Sequence, residues 1–428
     1  MPEESLSQEL SLLEGVAVIM GVIFGCGIFI TPKEVLVNTG SFWGSIIIWA
    51  LCGMLAALGA FCYAELGTTL ARGGGDYDYI YEAYGTLPAF LYLWDAVFVI
   101  IPSTNAIMAL SFANTVLQPL YLTCPIDPLC KKLVAAISIC FLTFVNAYNA
   151  KHTTRFQNIL IIMLFVVLVC IILAGIVWIA LGKSKFLTDG WVGTKASVSE
   201  WAVAFFAGVF SYVGWSYLNF LIKELKNPYR NLPRAIFIAF VVVTSVYVLV
   251  NVSYIAVLGP HVIYTSNSVV LDFTATTLRF MNWIMPFIVG VSLLGALSIH
   301  IMMSSRICFS GARVGHMPEL FAHINMKCFS PIPALSFLML LSLVMLLPNS
   351  LAHLITYSVV VATLFTTITC SIVIYLRYKR PELERPIKVI LCWPIIFVVV
   401  NGGMLLVPIV SQPVAIVSGI FVTLCGLP

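Results

Sequence analysis

Long apolar runs separated by short polar segments recur along almost the whole chain. A spanning helix needs about 20 mostly apolar residues. Runs of that kind fall near Leu13–Val37, Gly44–Glu65, Leu87–Leu117, Leu133–Tyr148, Ile159–Leu181 and Val203–Leu221. They continue near Ala235–Leu258, Trp283–Met303, Leu335–Leu347, His353–Tyr378, Val389–Val410 and Val414–Leu427. The pattern predicts an all-α integral membrane protein with about 12 transmembrane helices. Met1–Leu10 is acidic and polar with no basic start, so the first apolar run is expected to stay in the membrane.

Composition agrees with that pattern. The chain is 61% hydrophobic and only 9% charged, where a soluble domain is typically about 45–50% apolar and about 25% charged. Such a chain cannot cover its surface with polar groups, so part of its solvent is lipid. The net charge of +4 is thinly spread, and no basic cluster points to nucleic acid. Of the 12 cysteines most sit in apolar runs, without CxxC or Cys/His spacing, so neither a metal nor a cofactor is expected.

Basic residues orient the spans. With the N-terminus inside, the outside loops hold Lys33, Lys131, Lys132, Lys183, Lys185, Lys195 and Arg279, and the other 15 of the 22 Lys and Arg fall inside. Both termini are then cytoplasmic, given an even number of spans. The inside segment Lys226–Pro233 carries two prolines and is expected not to continue a helix.

Two runs are rich in glycine at matching places. The first contains Gly21, Gly25 and Gly27, and the sixth contains Gly208 and Gly214. Such glycines serve either close helix packing or broken helices that bare backbone N–H and C=O groups at mid-membrane. The five-span offset is that of an inverted five-plus-five repeat. Residues 1–12 would then be a cytoplasmic segment, 13–182 helices 1–5, 183–378 the inverted helices 6–10, and 379–428 helices 11–12.

Several segments carry a resemblance. They are Gly25-Cys26-Gly27-Ile28-Phe29, Cys62–Thr69, Phe210-Ser211-Tyr212 with Gly214-Trp215, and Asn227–Pro233. Ser304-Ser305-Arg306, Gly315–Pro318 and Pro381–Val389 follow in order. Together they resemble the light subunits of heteromeric amino-acid transporters, of the L-type and y+L-type branch, in the APC superfamily with the LeuT-like fold. The resemblance implies sodium-independent exchange of amino acids at the plasma membrane. It also implies a disulfide to a single-pass heavy-chain glycoprotein.

The same resemblance assigns residues. The Gly25-Cys26-Gly27 turn would hold the substrate carboxylate on main-chain donors, with the half-helix dipole adding attraction. The family has Ser where Cys26 stands and often Thr or Asn where Val22 stands, so side-chain hydroxyls are missing here. Ile23 would offer its carbonyl to the ammonium. Phe210 matches the gating aromatic, Gly214 belongs to the unwound stretch, and Trp215 is read as packing near the site. Val213 stands where relatives carry Gly, Ser, Ala or Asp, which favours neutral over cationic substrates. Leu164 replaces a usual helix-5 Lys, leaving bound sodium or proton, water, or weakened transport as readings. Lys223 is a further departure beside Glu224. Cys124, in Thr123-Cys124-Pro125 of an outside loop, matches the heavy-chain cysteine; a local bridge to Cys130 is the alternative.

Two acids interrupt apolar runs. Asp95 is either a functional ionisable group or a structural cap, and Glu65 marks the inner end of the second span. Asn251-Val252-Ser253 has the glycosylation form but sits in an apolar run. The six histidines look scattered and mostly in loops, so no catalytic cluster is expected. A stand-alone permease, a neutral and cationic exchanger of the y+L type and, from a different class, a channel remain the alternative functions. Span count excludes a seven-helix receptor.

Overall fold

The computed structural model describes residues 11–25, 27–70, 75–121, 126–148, 150–184, 190–215, 225–266, 268–277, 284–323, 325, 330–347, 351–406, 417 and 423–426. Among them every regular element is helical, apart from one isolated bridge between Asn325 and Ser330. In hydrocarbon each backbone polar group must be satisfied within its own segment, which leaves the helix as the open-chain solution.

The first run divides into α1 (Leu12–Ile23) and α2 (Gly27–Thr39), bent 55° to each other. Ser11 caps α1 in a reciprocal box with Glu14, its N–H donating to Glu14 Oε2 at 2.6 Å. Then come α3 (Phe42–Leu70), the short α4 (Asp76–Tyr84), α5 (Thr86–Asp95) and α6 (Ile101–Leu117). A π-type turn over Ala96–Ile100 joins the last two into one span. α7 (Pro128–Tyr148) and α8 (Ala150–Ala180) follow.

The second half runs α9 (Val198–Phe210), α10 (Pro228–Thr265), α11 (Val269–Thr277), α12 (Met285–Arg313), α13 (Ile332–Val344), α14 (Leu351–Lys379) and α15 (Cys392–Met404). Among the described residues seven helices are long and apolar enough to cross a membrane, eight if the bent α1–α2 pair is one span. The shorter apolar helices α9, α13 and α15 match three further expected runs. The last expected run, Val414–Leu427, lies mostly outside the described residues.

Two sequence expectations need correction. Pro228 and Pro233 do not stop α10: Pro228 opens it and Pro233 lies in its second turn. A proline at the first helical position gives up an N–H that has no partner there. Glu65 does not end its helix either, because α3 continues to Leu70. Glu65 is 2% exposed and forms a two-point ion pair with Arg377, one contact being 2.9 Å. It also accepts the Val389 N–H at 2.9 Å. A buried carboxylate is tolerable only with such partners, and this one ties α3 to α14 and to the polar segment before α15.

Nearby, Asp76 opens α4 and accepts from the Tyr63 and Tyr92 hydroxyls. Burial pushes its carboxyl above the ordinary carboxylate range, while the hydroxyls of Tyr63, Thr369 and Tyr92 pull it back. Asp95 is fully buried and accepts from Thr423 at 2.8 and 3.1 Å. Asn251 is also buried and donates to the Tyr247 carbonyl at 2.8 Å inside α10.

α1, α2, α3, α9 and α10 pack into one group, and α6, α7, α12 and α13 into another. α8 bridges them through α10 and α12, while α14 and α15 close the side facing α3. The cavity described next lies where these groups meet.

Candidate functional site

The cavity forms because both breaks fall at one depth and pack against each other through α2 and α9. Helical bonding ends at Phe24, whose N–H still reaches the Met20 carbonyl at 2.8 Å. Beyond it the Gly25 N–H turns back to the Ile23 carbonyl at 2.7 Å. The second break begins after Phe210, where the N–H groups of Ser211, Tyr212 and Val213 close tight three-residue turns onto Gly208, Val209 and Phe210.

The breaks interlock through glycines. A Cβ on Gly27 would lie 2.5 Å from Ser211 Cα. Gly214 has φ +109, and a Cβ there would meet Val22 Cγ1 at 2.6 Å. An L side chain fits neither the backbone conformation nor the space at Gly214. The Tyr247 hydroxyl on α10 joins the two breaks, 2.9 Å from the Ile23 carbonyl and 3.2 Å from the Ser211 carbonyl. Thr31 Oγ1 and Ser211 Oγ, 2.6 Å apart, add a second bridge.

Around these breaks lies a cavity of ≈ 150 Å³, about ten times the space one water needs. Val22, Ile23, Gly25, Gly27, Phe210, Val213, Gly214 and Trp215 all line it. Eight of the nine positions expected at the site from sequence therefore share one cavity, and the ninth, Cys26, lies outside the described residues. Val213 is 46% exposed, so its side chain stands free in the opening. Trp215 packs edge-on against Tyr63 at 4.8 Å between centroids, the packing position expected for it. The Ile23 carbonyl accepts from both the Gly25 N–H and the Tyr247 hydroxyl, so both lone pairs are engaged.

These features match a known family. A family model for amino acid permeases matches residues 10–426. The chain belongs to the amino acid permease family. The mouse large neutral amino acids transporter small subunit 2 is 40% identical over 432 residues, covering 99% of this chain and 80% of that protein. The mouse b(0,+)-type amino acid transporter 1 is 39% identical over 409 residues, 96% of this chain and 84% of that protein. The human cystine/glutamate transporter is 35% identical over 423 residues, 99% of this chain and 84% of that protein. As an amino acid permease the chain is a multi-pass transport protein and not an enzyme, and the resemblance read from its motifs holds.

Sequence reasoning missed the far wall of the permease cavity. Thr104 and Met108 come from α6, His300 from α12, Ser358, Thr363 and Thr366 from α14, and Phe397 and Asn401 from α15. His300 is not a loop residue: it is buried in mid-helix, with Nδ1 2.8 Å from Asn105 Oδ1. Asn105 in turn donates to Ser342 Oγ at 3.0 Å. A polar residue in the middle of an apolar run was the available signal for His300 and Asn401.

Leu164 stands apart from the cavity. Leu164 is 3% exposed in the main apolar core. Val18 and Val22 of α1, Ile161 of α8 and Met302 of α12 pack on the neighbouring pair Ile299 and Met303, making that wall apolar. Cys124, Lys223 and Glu224 lie outside the described residues. Cys130 is a half-buried free thiol on α7.

Proposed function

We propose that this permease is the transport subunit of a two-chain exchanger, moving neutral amino acids without sodium through the cavity at the helix breaks. The observation that carries the reading is the convergence of helix ends on a cavity whose described lining residues carry no charge. α2 begins at Gly27, so its N-terminal N–H groups and positive dipole end face the cavity. α1 ends at Ile23 and α9 at Phe210, so carbonyl ends face it too. One wall suits a carboxylate, the other an ammonium. Among the described residues no Asp, Glu, Lys or Arg lines the cavity, so a charged substrate side chain would find no counter-ion among them.

Residues Val22, Ile23, Gly25, Cys26, Gly27, Phe210, Val213, Gly214 and Trp215 form the substrate site in this reading. Since the Ile23 carbonyl is already doubly engaged, the ammonium either uses other carbonyls at the two breaks or displaces the Tyr247 hydroxyl. The apolar surroundings of Leu164 support sodium-free transport, because an ion there would lack ligands. The arginine-rich end around Arg377, Arg380 and Arg385 is cytoplasmic by the positive-inside rule, with both chain termini on that side at the plasma membrane. The relatives include a protein named as a small subunit, which supports a heavy-chain partner, joined here through Cys124. Breaks at Gly25 and after Phe210 fit an inverted repeat of residues 13–182 and 183–378.

The test is uptake of labelled leucine by reconstituted vesicles. Influx should be several-fold faster into leucine-loaded than into empty vesicles and unchanged when choline replaces sodium. Equal influx into both, or abolition in choline, overturns the reading.

A further inference from the structure

The cavity reaches α15, an element that gave the sequence reading no site residue. Asn401 sits there, 4% exposed, in the middle of a helix that is otherwise apolar. α15 packs against α14 and α3. Gly59 of α3 admits the rings of Phe397 and Trp215 side by side, since a Cβ there would meet them at 2.6 and 2.7 Å. Those two rings and Asn401 all line the one cavity that also contains Gly25 and Gly27.

The amide orientation of Asn401 is fixed by chemistry. Its Nδ2 lies 2.9 Å from Thr367 Oγ1 and 3.3 Å from the Thr363 carbonyl. A carbonyl can only accept, so the group facing Thr363 is the NH₂. Both amide protons thus point into α14. The Oδ1 accepts from none of the described residues. An amide oxygen open to a cavity wall, with no donor among the described residues, is an acceptor available to a bound molecule.

From this geometry we infer that Asn401 is a specificity-determining residue: its Oδ1 accepts a hydrogen bond from the side chain of a neutral polar amino acid, of the carboxamide class. A substrate whose α-carboxylate and ammonium are held at the helix breaks presents its side chain to the remaining walls, and Asn401 offers an oriented acceptor on one of them. Thr367 acts behind it as a positioning residue. Glutamine or asparagine satisfies the oxygen, whereas leucine of similar size leaves it unpaired. The inference rests on the transport reading above and narrows it to a substrate class.

The experiment measures glutamine and leucine uptake in the same vesicles and reports their ratio. Wild type is measured first; if it carries neither amino acid, the transport reading itself fails. In Asn401→Leu the glutamine-to-leucine ratio should fall by about 3- to 10-fold, the range a single net hydrogen bond gives, with surface expression and a monodisperse gel-filtration profile as the check on folding. Thr367→Val, which frees the amide without filling the cavity, should lower the ratio by about 2-fold or more on the same scale. An unchanged ratio in Asn401→Leu, with leucine uptake intact, overturns the inference. If Asn401→Leu does not reach the membrane, Thr367→Val decides, and an unchanged ratio there overturns it equally.

Discussion

Gly27 and Ser211 meet so closely that a Cβ on the glycine would stand 2.5 Å from the serine Cα and 2.9 Å from its Oγ. The two helix breaks, 184 residues apart in sequence, therefore touch backbone to backbone. The contact lies beside the cavity, so its geometry and the cavity's are set together.

Gly27→Ala should separate the breaks. The obstruction is backbone rather than a flexible side chain, so the neighbour cannot rotate away; overpacking of this kind costs about 1–3 kcal/mol. Leucine uptake is expected to fall at least about fivefold at equal surface expression. Gly402→Ala, where a Cβ meets only Thr367 Cγ2 at 3.7 Å, serves as the control and should transport normally.

Tyr247→Phe removes one hydroxyl and keeps the ring, which packs against Trp49 at 5.6 Å and Tyr212 at 5.0 Å. The hydroxyl proton is shared between the carbonyls of Ile23 and Ser211, one from each break. Loss of a buried hydrogen bond costs about 1–3 kcal/mol. Exchange should slow by about fivefold or more, with surface expression close to normal, as measured by leucine efflux from loaded vesicles. A rate equal to wild type would show that the bridge is not needed for transport.

Glu65 and Arg377 form a pair whose side chains are 3% and 13% exposed. Removing one partner of a buried pair strands the other and costs about 3–5 kcal/mol, while replacing both with apolar groups is often near neutral. Glu65→Leu alone should lower the thermal midpoint of the detergent-solubilised protein more than Glu65→Leu combined with Arg377→Leu. Fluorescence-detected gel filtration after heating reads the difference. The close approach of Arg385, 3.9 Å from Glu65, keeps the double variant from full recovery.

Val213 stands in the cavity opening with a branched side chain. Val213→Gly removes three carbons and should widen competition toward bulkier amino acids. Val213→Asp adds an acid where the described lining residues have none and should raise inhibition by lysine. The measurement is competition of labelled leucine uptake by a panel of amino acids; identical profiles in wild type and both variants would remove Val213 from the site.

Cys124, not Cys130, is expected to make the heavy-chain disulfide, because Cys130 is half-buried on α7 and the sequence pattern predicts an outside loop at Cys124. Non-reducing electrophoresis of cell membranes should lose the large reducible band in Cys124→Ser and keep it in Cys130→Ser. The opposite pattern assigns the bridge to Cys130.

Sequence alone determined that the chain is helical and crosses a membrane, because apolar run length is a local property that lipid reads directly. It located the first break at Gly25, since glycines spaced within an apolar run mark backbone that leaves the helix. It also placed eight residues that turn out to share one cavity. It erred at Pro228, where helix position and not residue type decides whether a missing N–H matters. Tertiary structure alone decided the far wall. His300, Asn401 and Thr104 come from helices remote in sequence, and nothing in the run around each marks it as facing the others. The fate of Glu65 was likewise hidden, because its partner is 312 positions away. A run of hydrophobic residues states that a helix is buried in something; which side of it meets a cavity, a partner helix or lipid follows from packing between segments that carry no mark of one another.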